Sequence, residues 1–134
     1  MSQQNVELVR RLMEIYNERS FEQNADLIDP DIAWDVSRVG VPDVGLSTGR
    51  AELRDFARDW EESFQSEHVA IQEIADGGDR VALSVRHQGR GTLSGIDVDQ
   101  TFGMVWTLRN GRAVGMEMYP TYDEALEAVG LKAP

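Results

Sequence analysis

The sequence predicts an α+β fold in which helices come first along the chain and cover one face of an antiparallel sheet. Three observations lead to this prediction. Apolar residues recur at helical spacing through the first half, side chains alternate in the second half, and an Asn-Gly pair separates the last two alternating segments. The chain has 134 residues and no composition break, so we expect a single domain over residues 1–134.

The first helix is predicted from a wide apolar face, which indicates that it is covered on more than one side. Its apolar positions are Val6, Leu8, Val9, Leu12, Met13, Ile15 and Tyr16. The helix is predicted to end near Arg19. Ser20 and Gln23 then stand at capping-box spacing, which predicts a short second helix that begins at Phe21 and is stopped by Pro30.

A short strand is predicted for Ile32–Val36, because this segment is rich in residues that favour strands. A turn-rich stretch follows from Val39 to Gly49. A third helix is predicted to begin at Arg50, with one buried stripe at helical spacing. This stripe consists of Leu53, Phe56, Ala57, Trp60 and Phe64.

Four strands are predicted in the second half of the chain: His68–Ala75, Arg80–Gln88, Gln100–Arg109 and Arg112–Tyr119. The turn between the last two is the strongest local signal, because a type I′ turn needs positive φ at both central residues and Asn110-Gly111 supplies it. A terminal helix is predicted after Thr121, which has Glu124 at capping-box spacing. Gly130 is its predicted end.

Composition limits the possible partners. Thirteen basic residues against twenty-four acidic ones give a net charge of −11, which would repel nucleic acid. The chain has no Cys, which excludes disulfides and fits a cytoplasmic protein. The N-terminus lacks the apolar core of a signal peptide, and no stretch approaches the roughly 20 apolar residues of a membrane span. We therefore expect a cytoplasmic protein that contacts neither nucleic acid nor membrane.

The last predicted hairpin carries bulky apolar side chains at alternate positions, which indicates that one sheet face lines an apolar space. The candidate ligand-binding residues are Phe56, Trp60, Ser84, Phe102, Met104, Trp106, Met116 and Met118. A packed core is the alternative interpretation, with roughly 1.5–3 kcal/mol from each large buried side chain. Adaptable Met side chains suit a pocket.

On the strand Arg80–Gln88, we place Ser84 and Arg86 on the pocket side and His87 on the outer face, in a surface or interface role. Both sheet faces then carry apolar groups. This predicts a homodimer that forms through the outer sheet face. No metal site and no cofactor are expected. The stretch GRGTLSG lacks the spacing of the phosphate-binding motifs, so its glycines are read as a flexible connection between strands.

Several stretches of the chain are similar to one family pattern: MSQQNVELVRRLMEIYNE, GR before AELRDFARDWEESF, GDRV, SGIDVDQTF, VWTLRNGR and EALEAVGL. In these stretches the chain resembles the SnoaL-like family of the nuclear transport factor 2-like superfamily. The resemblance implies a cystatin-like, cone-shaped roll, in which N-terminal helices pack on a strongly curved mixed or antiparallel sheet around an internal pocket. It also implies dimers through the outer sheet face. Relatives include polyketide cyclases, epoxide hydrolases, isomerases and dehydratases, so the fold constrains function weakly.

The resemblance also implies site residues. In ketosteroid isomerase relatives, a Tyr on the first helix, an Asp just after the first strand and an acid on the penultimate strand share the pocket. Tyr16 and Asp35 stand at the first two positions here, although the segment between them is shorter. Met104 stands at the third. Met neither titrates nor donates a strong hydrogen bond, so an acid on that strand is missing.

The candidate catalytic residues are Asp35, Tyr16 and Arg86. In an enzyme, Asp35 would be a general acid or base with a pKa raised by burial, Arg86 an anchor for a carbonyl or carboxylate, and Tyr16 a hydrogen-bond donor. In the alternative interpretation, Asp35 caps a turn, Arg86 pairs with an acid, and Tyr16 packs in the core.

Three functions remain open from the sequence. The first is a pocket that binds a small apolar molecule with a polar end. The second is a cofactor-independent enzyme of the cyclase, isomerase or hydrolase type. The third is a protein-interaction module whose pocket is filled. We adopt the first as the main hypothesis.

Overall fold

The computed structural model describes residues 2–39 and 46–131. Its helices and strands are α1 (Ser2–Glu18), β1 (Ile28–Asp35), β2 (Leu46–Thr48), α2 (Arg50–Glu62), β3 (Phe64–Asp76), β4 (Arg80–Gly91), β5 (Asp97–Arg109), β6 (Arg112–Tyr119) and α3 (Tyr122–Ala128). Two 3₁₀ segments, Glu22–Leu27 and Ser37–Val39, flank β1. The predicted α+β class is confirmed.

The six strands form one open, curved sheet in the order β2-β1-β6-β5-β4-β3. Neighbouring strands run antiparallel except β1 and β6, which are parallel, so the sheet is mixed. Register shifts interrupt the pairing of β3 with β4 and of β5 with β6, and such bulges bend the strands that carry them. Helices α1 and α2 pack over one face of this bent sheet and α3 over the other.

The local turn and cap signals predicted the structure well. Asn110 and Gly111 have φ angles of 52° and 77°, as the hairpin turn requires. The Thr121 side chain accepts a hydrogen bond of 3.2 Å from the Glu124 amide and caps α3. Gly130, with φ of 80°, follows the end of that helix.

Several boundaries differ from the prediction. The first strand begins at Ile28, not Ile32, so Pro30 lies inside β1 and the prediction that it stops a helix is wrong. The segment after α1 is a 3₁₀ helix without a side-chain cap, and the Ser20 carbonyl and hydroxyl accept hydrogen bonds from Asn24 where a pairing with Gln23 was expected. Phe64 begins β3 and does not extend α2. The short strand β2 was not predicted, and residues 40–45 of the turn-rich stretch lie outside the described residues.

The outer sheet face is partly covered by the chain itself. Ala82 and Val105 on the sheet are fully buried in a second apolar cluster with Ala125 and Leu126 of α3. A partner subunit is therefore not needed to cover this part of the face, and the homodimer remains a prediction. None of the helices among the described residues is long and apolar enough to cross a membrane.

One side chain holds α1 against the edge strand β3. The Asn17 amide donates to the Val69 carbonyl at 2.7 Å, and its oxygen accepts from the Val69 amide at 2.9 Å. Asn17 thus occupies the place of a neighbouring strand, because β3 is an edge strand of the sheet formed by the described residues and its backbone groups on this side have no strand partner there.

We expect Asn17→Ala to lower the free energy of unfolding by about 2 kcal/mol, because two half-buried backbone groups lose their partner. Urea denaturation measures this loss. Asn24→Ala is the matched control, since the Asn24 side chain bonds only four residues away, to Ser20. Equal losses in the two variants would contradict the role of Asn17.

Candidate functional site

A cavity of about 190 Å³ lies between the helices and the sheet. Seven of the predicted ligand-binding residues line it: Phe56, Trp60, Phe102, Met104, Trp106, Met116 and Met118. An engineered apolar cavity of about 150 Å³ is known to hold benzene. The space is therefore large enough for a molecule of one or two small rings.

Ser84 and Arg86 lie on the opposite side of the sheet from the cavity, so their predicted positions are wrong. Directly opposed residues of an antiparallel pair share a face, and the cavity residues Phe102 and Met104 oppose Val85 and Leu83. The residues between them must face outward.

The outward residues have partners there. Ser84, 4% exposed, lies 3.4 Å from the side-chain oxygen of Gln72. Arg86 pairs with Asp99 through two exposed hydrogen bonds of 2.9 and 2.6 Å. The residues of β4 that face the helices are instead the more apolar alternating set, Val81, Leu83, Val85 and His87.

Asp35 does not line the cavity. Its Oδ1 atom accepts hydrogen bonds from the Ser37 hydroxyl at 2.6 Å and the Ser37 amide at 2.9 Å. These bonds lower the pKa of Asp35, and the charge of Arg38 contributes in the same direction. The prediction that burial raises this pKa is wrong, because the carboxylate holds a turn near the surface.

The sequence analysis missed two site residues, His87 and Glu67. His87 is 0% exposed and contacts the rings of Phe64 and Trp60, with centroid distances of 4.7 and 5.7 Å. The prediction that it lies on the outer face is wrong. Its Nε2 atom lies 2.6 Å from the Glu67 carboxylate, whose side chain is only 2% exposed.

Tyr16 connects this pair to the cavity. Its hydroxyl donates to Glu67 Oε1 at 2.8 Å, while the ring lines the cavity. Burial raises the pKa of Tyr16 far above its ordinary value, and the nearby Glu67 carboxylate raises it further. We call Tyr16, Glu67 and His87 the polar cluster. His87 also lines the cavity, whereas Glu67 lies behind the two residues.

The bulge in β3 positions Glu67. Pairing with β4 is interrupted between Gln65 and His68, and Ser66 has a φ of 54°, which is uncommon for a residue with a side chain. Regular alternation resumes at Val69, which opposes His87 and lines the cavity. Glu67 precedes Val69 by two residues and shares its face. Alternation counted back from Val69 could therefore have identified Glu67.

Charged side chains surround the opening of the cavity. Arg54 and Arg58 lie 3.5 and 3.3 Å from Glu22, and all three residues line the cavity. Burial raises the pKa of Glu61, an effect that the charge of Arg19 partly offsets. The interior is thus apolar apart from the polar cluster, and charge is concentrated where the lining residues meet solvent.

Trp106 places one more polar group beside the cavity. Its indole N–H is buried and has no acceptor among the described residues; the same is true of Trp34, which does not line the cavity. Among residues 2–39 and 46–131, no group of His, Asp and Glu side chains could hold a metal ion.

The SnoaL-like domain family matches residues 9–116 of the chain. The chain belongs to the SnoaL-like family. Among curated protein sequences, none matches it.

Solved structures similar to this SnoaL-like protein agree with the observed fold. An NTF2-like protein of unknown function from Burkholderia pseudomallei is 23% identical, with a TM-score of 0.75 over 96% of this chain and 98% of that one. TerC, co-crystallised with polyporic acid, is 22% identical, with a TM-score of 0.74 over 95% and 98%. A putative polyketide cyclase from Xanthomonas campestris is 19% identical, with a TM-score of 0.72 over 96% and 98%.

The raised pKa of Tyr16 predicts a specific loss of stability in alkali. Below about pH 10 both states hold the proton; above it, only the unfolded chain releases it, so the free energy of unfolding falls by about 1.4 kcal/mol per pH unit. We expect Tyr16→Phe to remove this contribution, as measured by urea denaturation between pH 9 and pH 11.

Tyr122→Phe is the control for this measurement. Burial raises the pKa of Tyr122 as well, but its hydroxyl bonds to no carboxylate in the described part of the chain. This variant should lose only the contribution of Tyr122 itself and keep the slope that Tyr16 adds. An unchanged slope in Tyr16→Phe would contradict the assignment.

Proposed function

We propose that this SnoaL-like protein binds a small, mostly apolar, ring-containing molecule with one polar end. The observation that carries the proposal is an apolar cavity of about 190 Å³ with a buried polar cluster in its wall. Pockets of this composition use their apolar surface for affinity and a few polar groups for orientation. An open cavity gives no support to an interaction module with a filled pocket.

The aromatic wall supports a ring-shaped ligand. Trp34, Phe56, Trp60 and Phe64 form a continuous series of rings with successive centroid distances of 5.3, 6.1 and 5.7 Å. Phe56 and Trp60 of this series line the cavity. Aromatic rings attract one another in tilted arrangements at such distances, so a planar ligand can extend the series.

The unpaired indole N–H of Trp106 supports a ligand that also carries an acceptor. A buried donor without a partner costs roughly 1–3 kcal/mol, and an oxygen on the ligand would remove that cost. TerC, which has a similar fold, was co-crystallised with polyporic acid, a ring-containing compound, and this is consistent with the proposal.

We expect Ala57→Leu to weaken the binding of 4-indanol, a two-ring phenol, at least tenfold, because the larger side chain fills part of the cavity that Ala57 lines. Isothermal titration calorimetry measures the affinity. Ala51→Leu places the same change on the exposed face of α2 and should leave binding unchanged. Absence of 4-indanol binding to the unmodified protein, or equal affinity in both variants, would contradict the proposal.

A second candidate function is acid–base catalysis, which the hydrogen-bond chain from Tyr16 through Glu67 to His87 favours. A ligand hydroxyl can pass its proton to the Tyr16 oxygen while the Tyr16 proton moves to Glu67. The ligand would then become a nucleophile or an enolate without any cofactor.

Deuterium exchange tests this candidate on a ligand that co-purifies with the protein. In D₂O, the protein should accelerate deuterium incorporation at carbon atoms of that ligand, as followed by mass spectrometry. Glu67→Gln should reduce the rate about 100-fold or more, as removal of a general base does. Exchange no faster than in buffer would leave binding as the function.

A further inference from the structure

The hydrogen bonds of the polar cluster fix the direction in which Tyr16 donates. The distance of 2.6 Å between His87 Nε2 and Glu67 Oε2 requires one proton between these two atoms. We infer that this shared proton is the only one on the Glu67 carboxyl group and its His87 contact, so Glu67 Oε1 carries none. Oε1 therefore accepts from the Tyr16 hydroxyl, 2.8 Å away.

Neither neighbour of His87 alters this arrangement. The Trp60 indole nitrogen lies 3.4 Å from Nε2, which is long, and Nε2 already shares a proton with Glu67. The Gln100 amide nitrogen lies 3.5 Å from Nδ1, on the other side of the ring. The short contacts of the cluster are thus the two to Glu67.

A tyrosine hydroxyl has one proton and two lone pairs. Because the proton of Tyr16 is directed to Glu67, the oxygen has only lone pairs left for a ligand. We propose that Tyr16 acts as a hydrogen-bond acceptor in the cavity and selects ligands whose polar end is a hydroxyl, such as a phenol, enol or alcohol, over ligands that end in a carbonyl. This inference rests on the proposed binding function and names the class of ligand.

The preference for a hydroxyl over a carbonyl ligand comes from the free energy needed to rotate the Tyr16 O–H bond away from Glu67. At Tyr16, a carbonyl could bind only by taking that proton, which would leave the buried Glu67 oxygen without its hydrogen bond. Leaving a buried acceptor unpaired in this way corresponds to a loss of roughly ten- to hundredfold in affinity. Glu67 is therefore a positioning residue, and Tyr16 is the group that contacts the ligand.

The rest of the fold prevents the cluster from relaxing. Asn17, the residue after Tyr16, pairs with Val69 and holds this part of α1 against β3. The bulge at Ser66 directs Glu67 inward. His87 is enclosed by two aromatic rings. The acceptor orientation is the opposite of the donor role that the family resemblance implied for Tyr16.

The test compares 4-indanol with 1-indanone by calorimetry on the full chain. Both have the same bicyclic carbon skeleton with the oxygen next to the ring junction, but only the phenol donates. The unmodified protein should bind 4-indanol at least about tenfold more tightly. If both bind with equal affinity, this inference is overturned while the binding function stands; if neither binds, the proposed function itself fails.

Glu67→Met should change this preference. The thioether introduced by E67M is only a weak acceptor, so the Tyr16 proton is free for the ligand whichever ring nitrogen of His87 is protonated. The preference for the phenol should fall to about one or reverse. A preference that is unchanged in E67M would overturn the inference.

Two further variants complete the test. Glu73→Met makes the same substitution at an exposed position of β3 and should keep the preference. Tyr16→Phe removes the acceptor and should abolish the preference, so it tests the inference even if E67M does not fold. Circular dichroism and thermal melting establish which variants are folded. A preference retained in Tyr16→Phe would overturn the inference.

Discussion

The polar chemistry of this protein depends on one constraint, the need of the buried Glu67 carboxylate for partners. Removing a carboxyl group from water costs roughly 1–3 kcal/mol or more unless hydrogen bonds replace the lost hydration. Tyr16 from α1 and His87 from β4 supply those hydrogen bonds. The Glu67 side chain on the edge strand thus holds Tyr16 of α1 and His87 of β4 in place. These two residues form the polar part of the cavity wall.

The sequence was sufficient where structure is determined locally. Asn110-Gly111, Thr121 and Gly130 were assigned correctly because turn and cap chemistry needs only adjacent residues. The lining residues of the last hairpin followed from simple alternation, because Phe102 and Met104 are larger and more apolar than the residues between them. These features needed no knowledge of which strands pair.

The errors arose where distant parts of the chain decide. The inward face of β4 is set by its register against β5, and choosing Ser84 and Arg86 for their chemistry overrode the apolar alternation that included His87. Glu67 was missed because a bulge separates it from the preceding residues of β3. Asp35 is the exception: it was chosen by family position, whereas a local contact with Ser37, two residues along the chain, decides its surroundings.

The polar groups of the cavity do not lie on the penultimate strand, where the family resemblance implied an acid. Met104 faces the cavity there, and the polar cluster lies on β3, β4 and α1. Replacing a buried ionic network by apolar residues of similar size often leaves the stability of a protein unchanged or raises it. Folding stability alone would therefore favour an apolar wall at the polar cluster as well. The cost of keeping Glu67 buried is consistent with a site that must distinguish one polar end from another, since such discrimination requires groups with a fixed donor or acceptor direction.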